Sequence, residues 1–344
     1  MKIVLTGGGT AGHIIPNLAL VPELKKYFDA IHYIGGDGME KDLVKAAGLP
    51  FHSTEVIKLD RSHLLKNAKI PFVMIKAIRS ATAILDTIKP DLVFSKGGYA
   101  ALPTCFAARR LNIPVVLHES DMTLGLANKL TARFAKLTLT SFEETEGGEY
   151  IGNPVRNEIF EGKKARAVKN YLLPENRPIL LVVGGSSGSA AINDAVYAAL
   201  PKLTKDFFVI HIAGKNGNKD IKFSQYLQLE YAFDINDLFA AADVVVSRGG
   251  ANSLSELAAL GKTTLVIPLP KGGSRGDQVD NALSYHKKGL VTMLEQSLLT
   301  PDTLAENIKK LYLSRRVSVK KMAADTNVRI VKRLLEVIAQ NNKQ

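Results

Sequence analysis

Short, uninterrupted runs of apolar and largely β-branched residues recur along the chain, at 2–6, 31–34, 91–95, 113–117, 178–183, 207–212, 242–246 and 264–267. Strands with one wet face alternate apolar and polar residues, whereas these runs do not, so both their faces are buried, as in a parallel sheet covered by helices. Between them lie segments of helical periodicity, from about 16 to 26, from 102 to 111 and from Ala251 onward. A basic amphipathic helix is expected within 315–338, with Ile330, Val331, Leu334, Leu335 and Ile338 on its apolar side. The opening plan of strand, glycine-rich turn and helix is repeated. Residues 2–6 run into Gly7-Gly8-Gly9-Thr10-Ala11-Gly12-His13, and 178–183 run into Gly184-Gly185-Ser186-Ser187-Gly188-Ser189. The expected fold is α/β, with two Rossmann-like parallel-sheet domains facing each other across a cleft. The charged, proline-punctuated stretch 161–177 separates the two halves.

Length and composition agree with this plan. A chain of 344 residues suffices for two ordinary domains, and it contains no run of about 18 apolar residues that would span a bilayer. The N-terminus enters a strand directly and does not read as a signal peptide, which places the protein in the cytosol. The single cysteine, Cys105, excludes an internal disulfide and a zinc cluster of several thiolates; among small apolar neighbours it reads as packing. The net charge of +12 asks for an acidic partner: nucleic acid, anionic lipid or a phosphorylated substrate. The basic residues are spread along the chain without an aromatic-interleaved patch, which argues against nucleic acid. Around 58–79, Lys58, Arg61, Lys66, Lys69, Lys76 and Arg79 interleave with Leu64, Leu65, Ile70, Phe72, Val73, Met74 and Ile75. Two readings fit this segment: a surface for an anionic membrane, or a solvated helix with an ordinary core side.

The chemistry collects at the strand ends. In an open parallel sheet, ligands bind outside the carboxyl ends of the strands. Gly7, Gly9 and Gly12 satisfy the dinucleotide fingerprint, but the second strand ends in Gly35-Gly36 rather than an acid, which disfavours a nicotinamide cofactor. His13 stands where an imidazole can take a proton from a substrate hydroxyl, or simply contact phosphate. Arg248-Gly249-Gly250 turns the strand 242–246 into a helix whose start Asn252 and Ser253 can cap and whose free N–H groups favour an anion. Glu256 is placed to accept hydrogen bonds from a ribose or to complement the helix dipole. Arg156 is in reach of a phosphate, and Asp277, Gln278 and Asn281 carry the directed donors and acceptors that orient sugar hydroxyls.

Two such halves make the architecture of the two-domain nucleotide-sugar transferases called GT-B. The segments Gly7 to His13, Gly97-Gly98-Tyr99, His118-Glu119, Gly152-Asn153-Pro154-Val155-Arg156, Gly184-Gly185-Ser186 and Arg248 to Glu256 give the chain a more specific likeness. Over essentially its whole length it resembles the MurG family, the bacterial peptidoglycan enzymes that transfer N-acetylglucosamine to lipid-linked N-acetylmuramyl-pentapeptide. The resemblance implies an acceptor-binding, membrane-associating domain over 1–155, a UDP-sugar domain over 156–320, and a C-terminal helix over 321–344 that packs back on the first.

It further implies that UDP-N-acetylglucosamine lies with its base against Tyr231 and Ala232 and its ribose on Glu256. The diphosphate is expected at the helix starts after Gly250 and Gly185, near Ser186, Arg248, Ala251, Asn252, Ser253 and Arg156, with Asp277 and Gln278 on the sugar. Thr10, Ala11 and Gly12 are expected to touch the donor sugar. The acceptor would lie on Gly8, Gly9, Gly97, Gly98, Tyr99, Asp121 and Asn128, with His13 and Glu119 as catalytic residues and His13 the favoured base. Asp121 and Asp277 stand where family members often carry amides, which adds negative charge at both positions. No Asp-x-Asp pair is present to hold a divalent ion beside a diphosphate, so catalysis is expected to need no metal or other cofactor. The implied partners are the polyprenyl-pyrophosphate-linked acceptor, the anionic cytoplasmic face of the membrane and other cell-wall synthesis proteins. Two rivals stand beside this reading: a GT-B transferase acting on another membrane lipid, which would share the donor half, and a UDP-N-acetylglucosamine epimerase, which uses the same fold without any acceptor.

Overall fold

The computed structural model describes residues 1–56, 70–185, 188–215, 217, 218, 220–271, 277–314 and 325–343. The chain divides into two compact units, Met1–Arg156 with Ala324–Gln344, and Asn157–Ala323.

The first unit is built on a seven-stranded sheet of β1 (Lys2–Thr6), β2 (Ala30–Gly35), β3 (Phe51–Ser53), β4 (Leu92–Ser95), β5 (Val115–Glu119), β6 (Leu137–Thr140) and β7 (Glu149–Tyr150). Its order is β3-β2-β1-β4-β5-β6-β7, and every pairing is parallel. Thr6 at the end of β1 pairs with Ile34 on one side and Ser95 on the other. The chain winds outward from β1 in one direction and from β4 in the other. The switch in winding direction therefore falls between β1 and β4, the position at whose carboxyl edge open parallel sheets bind ligands. Alternation along β1 sends Ile3 and Leu5 to one core and Val4 to the other. Cys105 is buried in the second of these, and burial pushes its thiol up to about 11.

The second unit repeats the arrangement with six strands: β8 (Ile179–Val183), β9 (Phe208–Ile212), β10 (Tyr226–Leu229), β11 (Val244–Ser247), β12 (Thr264–Val266) and β13 (Thr292–Met293). The order β10-β9-β8-β11-β12-β13 is again parallel throughout, with the divergence between β8 and β11. Leu180 and Val182 face one core, Ile179 and Leu181 the other.

The C-terminal helix Thr326–Asn341 belongs to the first unit. Ile330, Val331, Leu334, Val337 and Ile338 join the core of Ile3, Leu5 and Phe94, each burial contributing about 1.5–3 kcal/mol. Asn327 fastens its start: Oδ1 accepts from the Val155 N–H at 3.1 Å, while Nδ2 donates to the carbonyls of Val155 at 2.7 Å and Ala19 at 3.1 Å.

Some elements differ from the sequence reading. The first helix spans Ala11–Leu24, with Pro16 inside it; proline commonly opens a helix, but here it only forgoes one ladder bond in a helix already under way. The C-terminal helix starts at Thr326 among the described residues. Five strands, β3, β6, β7, β10 and β13, lack an uninterrupted apolar run. They are short, mix in polar residues and lie at or next to a sheet edge, where burial on both faces is not required.

Candidate active site

In the first unit the β1 and β4 loops are packed onto each other. A Cβ on Gly98, whose φ is +81°, would come within 2.3 Å of the Gly8 carbonyl oxygen, and one on Gly9, at φ +85°, within 2.3 Å of the Tyr99 ring. Only glycine permits this approach. Gly97 sits at φ +79° against the side chain of Asn128. Buried anchors hold the β1 loop from below: the Tyr33 hydroxyl donates to the Gly7 carbonyl at 2.7 Å and Asn17 Nδ2 to the Thr6 carbonyl at 3.0 Å. Burial pushes the Tyr33 phenol up, so it stays a donor.

Thr10 is the N-cap of the helix Ala11–Leu24, but its side chain caps nothing. Instead Thr10 Oγ1 lies 3.0 Å from Nδ1 of His13. In the tautomer with Nδ1–H donating to Thr10, Nε2 is the basic nitrogen. The imidazole is thus oriented by a neighbour and half-exposed beyond the carboxyl end of β1, with Thr10 and Gly12 exposed and Ala11 half-buried beside it.

Glu119, at the end of β5, is 3% exposed. Its Oε1 accepts from the Asp121 N–H at 3.1 Å, and Oε2 from the Gly125 N–H at 2.8 Å and Asn128 Nδ2 at 2.9 Å. The carboxylate therefore shapes the loop 120–125 and fixes Asn128, a positioning task distinct from the catalytic role expected of it. Asp121 is half-buried on that loop, and Asn128 buried beneath it.

In the second unit, the turn after β11 leads into the helix Ala251–Leu260, whose N-cap is Gly250. Asn252 and Ser253 do not cap this helix; they lie in its first turn, half-buried, next to buried Ala251. The N-cap glycine makes no side-chain cap, and among the described residues a Cβ on Gly250 would meet nothing within 4 Å. A Cβ on Gly185, at φ +93°, likewise meets nothing within 4 Å among the described residues, while the helix that follows is capped by Ser189, whose Oγ accepts from the Ile192 N–H at 3.3 Å. Two helix starts, those of Ala251–Leu260 and Ala190–Asp206, follow the two strands at which this sheet diverges. Backbone N–H groups and the dipole favour an anion at such starts.

Arg248 is tied down at the start of the helix Ala190–Asp206, whose N-cap is Ser189. Its Nη1 donates to the Ile267 carbonyl at 3.0 Å and Gln296 Oε1 at 2.7 Å, and its Nη2 to Ser189 Oγ at 2.5 Å. It braces the loops after β8 and β12 against each other, and burial lowers the affinity of the guanidinium for its proton. Glu256 is 8% exposed, farther along the same helix. Gln278 Oε1 accepts from the Leu269 N–H at 3.1 Å, and Asp277 opens the helix Asp277–Lys287. Tyr231 is exposed with its ring edge-on to Phe233, and Ala232 is buried. Arg156, half-buried, is the last residue before the second unit. Ser186 lies outside the described residues, as do Lys58, Arg61, Leu64, Leu65, Lys66 and Lys69.

The sequence reading passed over two buried polar clusters. Lys96, directly before Gly97, is 1% exposed and contacts His118 and Asn153. In the second unit, His211 Nε2 and Asn193 Oδ1 lie 3.0 Å apart under the glycine turn, and Asn193 Nδ2 donates to the Ala213 carbonyl at 2.8 Å. The available signal was a lone polar residue at a strand position that should be apolar.

Residues 3–140 match the glycosyltransferase family 28 N-terminal domain and residues 179–337 its C-terminal domain. A protein of Lachnospira eligens named UDP-N-acetylglucosamine–N-acetylmuramyl-(pentapeptide) pyrophosphoryl-undecaprenol N-acetylglucosamine transferase is 42% identical over 353 residues, covering 99% of each chain. Among solved structures, Acinetobacter baumannii MurG superposes with a TM-score of 0.76 at 24% identity, covering 97% of this chain and 99% of that one. The UDP-GlcNAc 2-epimerase of Neisseria meningitidis, bound to UDP-GlcNAc, reaches 0.68 at 14% identity, covering 98% and 100%. A transferase and an epimerase thus share this fold, and shape alone does not choose between them. Sequence does: with both family 28 domains matched and identity of 42% running through 99% of its length, the chain belongs to the family of UDP-N-acetylglucosamine–N-acetylmuramyl-(pentapeptide) pyrophosphoryl-undecaprenol N-acetylglucosamine transferases.

Proposed function

We propose that this protein transfers N-acetylglucosamine from UDP-N-acetylglucosamine to the 4-hydroxyl of polyprenyl-pyrophosphate-linked N-acetylmuramyl-pentapeptide, a step of bacterial peptidoglycan synthesis. The observation that carries the reading is the 42% identity over the whole chain, acceptor half included. An epimerase has no lipid acceptor, and a transferase for a different lipid would share chiefly the donor half.

The residues then divide the chemistry. The second unit takes the donor, with the diphosphate at the helix starts after Gly185 and Gly250 and Glu256 on the ribose. The first unit takes the acceptor at the paired loops of Gly8, Gly9, Gly97 and Gly98, beside Tyr99. The acceptor oxygen attacks the anomeric carbon as the bond to UDP breaks, inverting that carbon. His13 takes the hydroxyl proton at Nε2, and helix dipoles with Arg156 balance the charge on departing UDP. These groups serve nucleophile and leaving group without a metal, in keeping with the missing Asp-x-Asp pair.

The test is transfer of label from UDP-N-acetylglucosamine into lipid, with and without acceptor, in EDTA. Acceptor-dependent labelling that survives chelation is the expected result. UDP release without acceptor would instead favour the epimerase, and loss of transfer in EDTA would end the metal-free mechanism.

A bilayer-held acceptor requires the protein to meet the cytoplasmic face of the membrane. No described helix is long and apolar enough to cross a membrane. Helix Ile70–Ile88 exposes Phe72 and Ile75, flanked by exposed Lys76 and Arg79. This apolar and cationic mixture supports peripheral docking on anionic lipid. Sedimentation with phosphatidylglycerol vesicles at moderate salt should capture the protein, and F72E should reduce capture; indifference to the vesicles removes this surface from the account.

A further inference from the structure

Lys96 is the first residue after β4, directly before the glycine pair of the acceptor loop. Its stem passes under the β1 loop: a Cβ on Gly7 would lie 3.3 Å from that of Lys96. Nζ reaches across to Nδ1 of His118 on β5 at 2.5 Å and to Asn153 Oδ1 at 3.2 Å. His118 Nε2 is 2.8 Å from the Gly152 carbonyl, so it carries the proton there and Nδ1 accepts from Lys96. Asn153 Oδ1 also accepts from the hydroxyls of Ser120 and Ser141, at 3.1 and 3.2 Å.

Among the described residues, the hydrogen-bond partners of the ammonium are therefore neutral. Gly7 contributes no charge from the loop after β1, and neither Asn153 nor neutral His118 contributes one from the other elements packed on it. The carboxylates acting on Lys96 are Glu119 and Asp121, at longer range, and Glu119 spends its oxygens on the loop 120–125 and Asn128. A buried cation without an adjacent anion is costly. This one lies beneath two loops in which Gly8 and Gly97 are buried and Gly9 and Gly98 half-buried.

We propose that Lys96 is the buried counter-charge of the acceptor loops: when a diphosphate diester settles on Gly8, Gly9, Gly97 and Gly98, Lys96 becomes fully protonated, so acceptor binding takes up a proton. The inference rests on the acceptor assignment above and adds to it a positioning residue that acts electrostatically, without touching substrate. Burial holds the free Lys96 down to about 7, against the opposing pull of Glu119 and Asp121, while His118 stays neutral well below its ordinary value. An anion at the loops favours the charged form of Lys96. Acceptor affinity must then fall as pH rises through about 7, where the free protein loses that proton and binding has to restore it.

Calorimetry of a short-chain polyprenyl-pyrophosphoryl-N-acetylmuramyl-pentapeptide binding to the intact protein, in two buffers of different ionisation enthalpy, reads the proton directly. A diphosphate diester has no group titrating near neutrality. The expected uptake approaches one proton at about pH 8 and vanishes below about pH 6. In K96M uptake should disappear, with the acceptor KM raised about tenfold at neutral pH and the donor KM unchanged. In K96R, charged at every pH, the acceptor KM should lose its dependence on pH. Absence of uptake in the wild-type protein overturns the proposal even if neither variant folds. Uptake undiminished in K96M also overturns it, because the proton then goes to another group. Failure of the wild-type protein to bind this acceptor at all would instead strike the functional reading on which the inference rests.

Discussion

His13 and Glu119 both belong to the first unit, and their surroundings differ. His13 is half-exposed and oriented by Thr10, the condition of a group that exchanges a proton with substrate. H13Q should lower kcat by about 10²–10⁴-fold, the usual worth of a general base, and leave UDP affinity unchanged in equilibrium binding. Glu119 is buried with its oxygens committed to two backbone N–H groups and Asn128. In E119Q an N–H would face an N–H, and stability should fall by about 1–3 kcal/mol, with the acceptor KM rising. Wild-type stability in urea with loss of kcat alone would return Glu119 to the chemistry. Sequence placed both residues at strand ends, where ligands bind, but the direction of a carboxylate is decided by the loop that folds over it. The same holds for Arg248: a glycine turn marks the spot, yet whether the guanidinium faces substrate or braces Ser189, Ile267 and Gln296 depends on segments distant in sequence.

At the scale of elements, the glycine loops differ in the room they leave for a side chain. Gly98 is at positive φ with the Gly8 carbonyl where its Cβ would be, whereas Gly250 has an ordinary φ of −69° and open space before it. G98A should therefore destabilise the fold, since backbone must move. G250A should melt as the wild type does and still weaken UDP binding, because its methyl group stands at the helix start assigned to the diphosphate. Unchanged UDP affinity in G250A would move the diphosphate elsewhere. The cluster under the second glycine turn adds a pH dependence. Burial holds His211 down to about 4, below the roughly 6.5 of an unfolded histidine. The unfolded chain then binds the extra proton first, so this contribution is complete above about pH 6.5 and is lost as pH falls toward 4, by about 3 kcal/mol. Urea titrations across that range should show the slope, and H211Q should flatten it. The strands with uninterrupted apolar runs were legible because burial on both faces demands them. β3, β6, β7, β10 and β13 were not, because strands at or beside an edge tolerate polar residues.

The whole molecule repeats one design, which made its α/β class and its two halves readable from the recurrence of strand, glycine turn and helix. The amphipathic pattern of the C-terminal helix announces an apolar face, but no residue within it names the core that the face will cover. That core is the first unit's, where Leu334 is fully buried with Ile3, Leu5 and Phe94, more than 300 residues away along the chain for Ile3 and Leu5. L334A should cost about 2–5 kcal/mol, and the cost should fall on residues 1–156 although the substitution lies beyond residue 323. UDP provides the complementary probe, since a ligand held by the second unit stabilises it by about 2.7 kcal/mol at a hundredfold its Kd. Hydrogen exchange resolved by segment distinguishes the two effects. L334A should speed exchange in β1, β4 and the helix Ala11–Leu24, and UDP should slow it around β8 and β11. Faster exchange in β8 and β11 of L334A, with β1 unaffected, would mean that the helix contributes its stability to the wrong unit for this account.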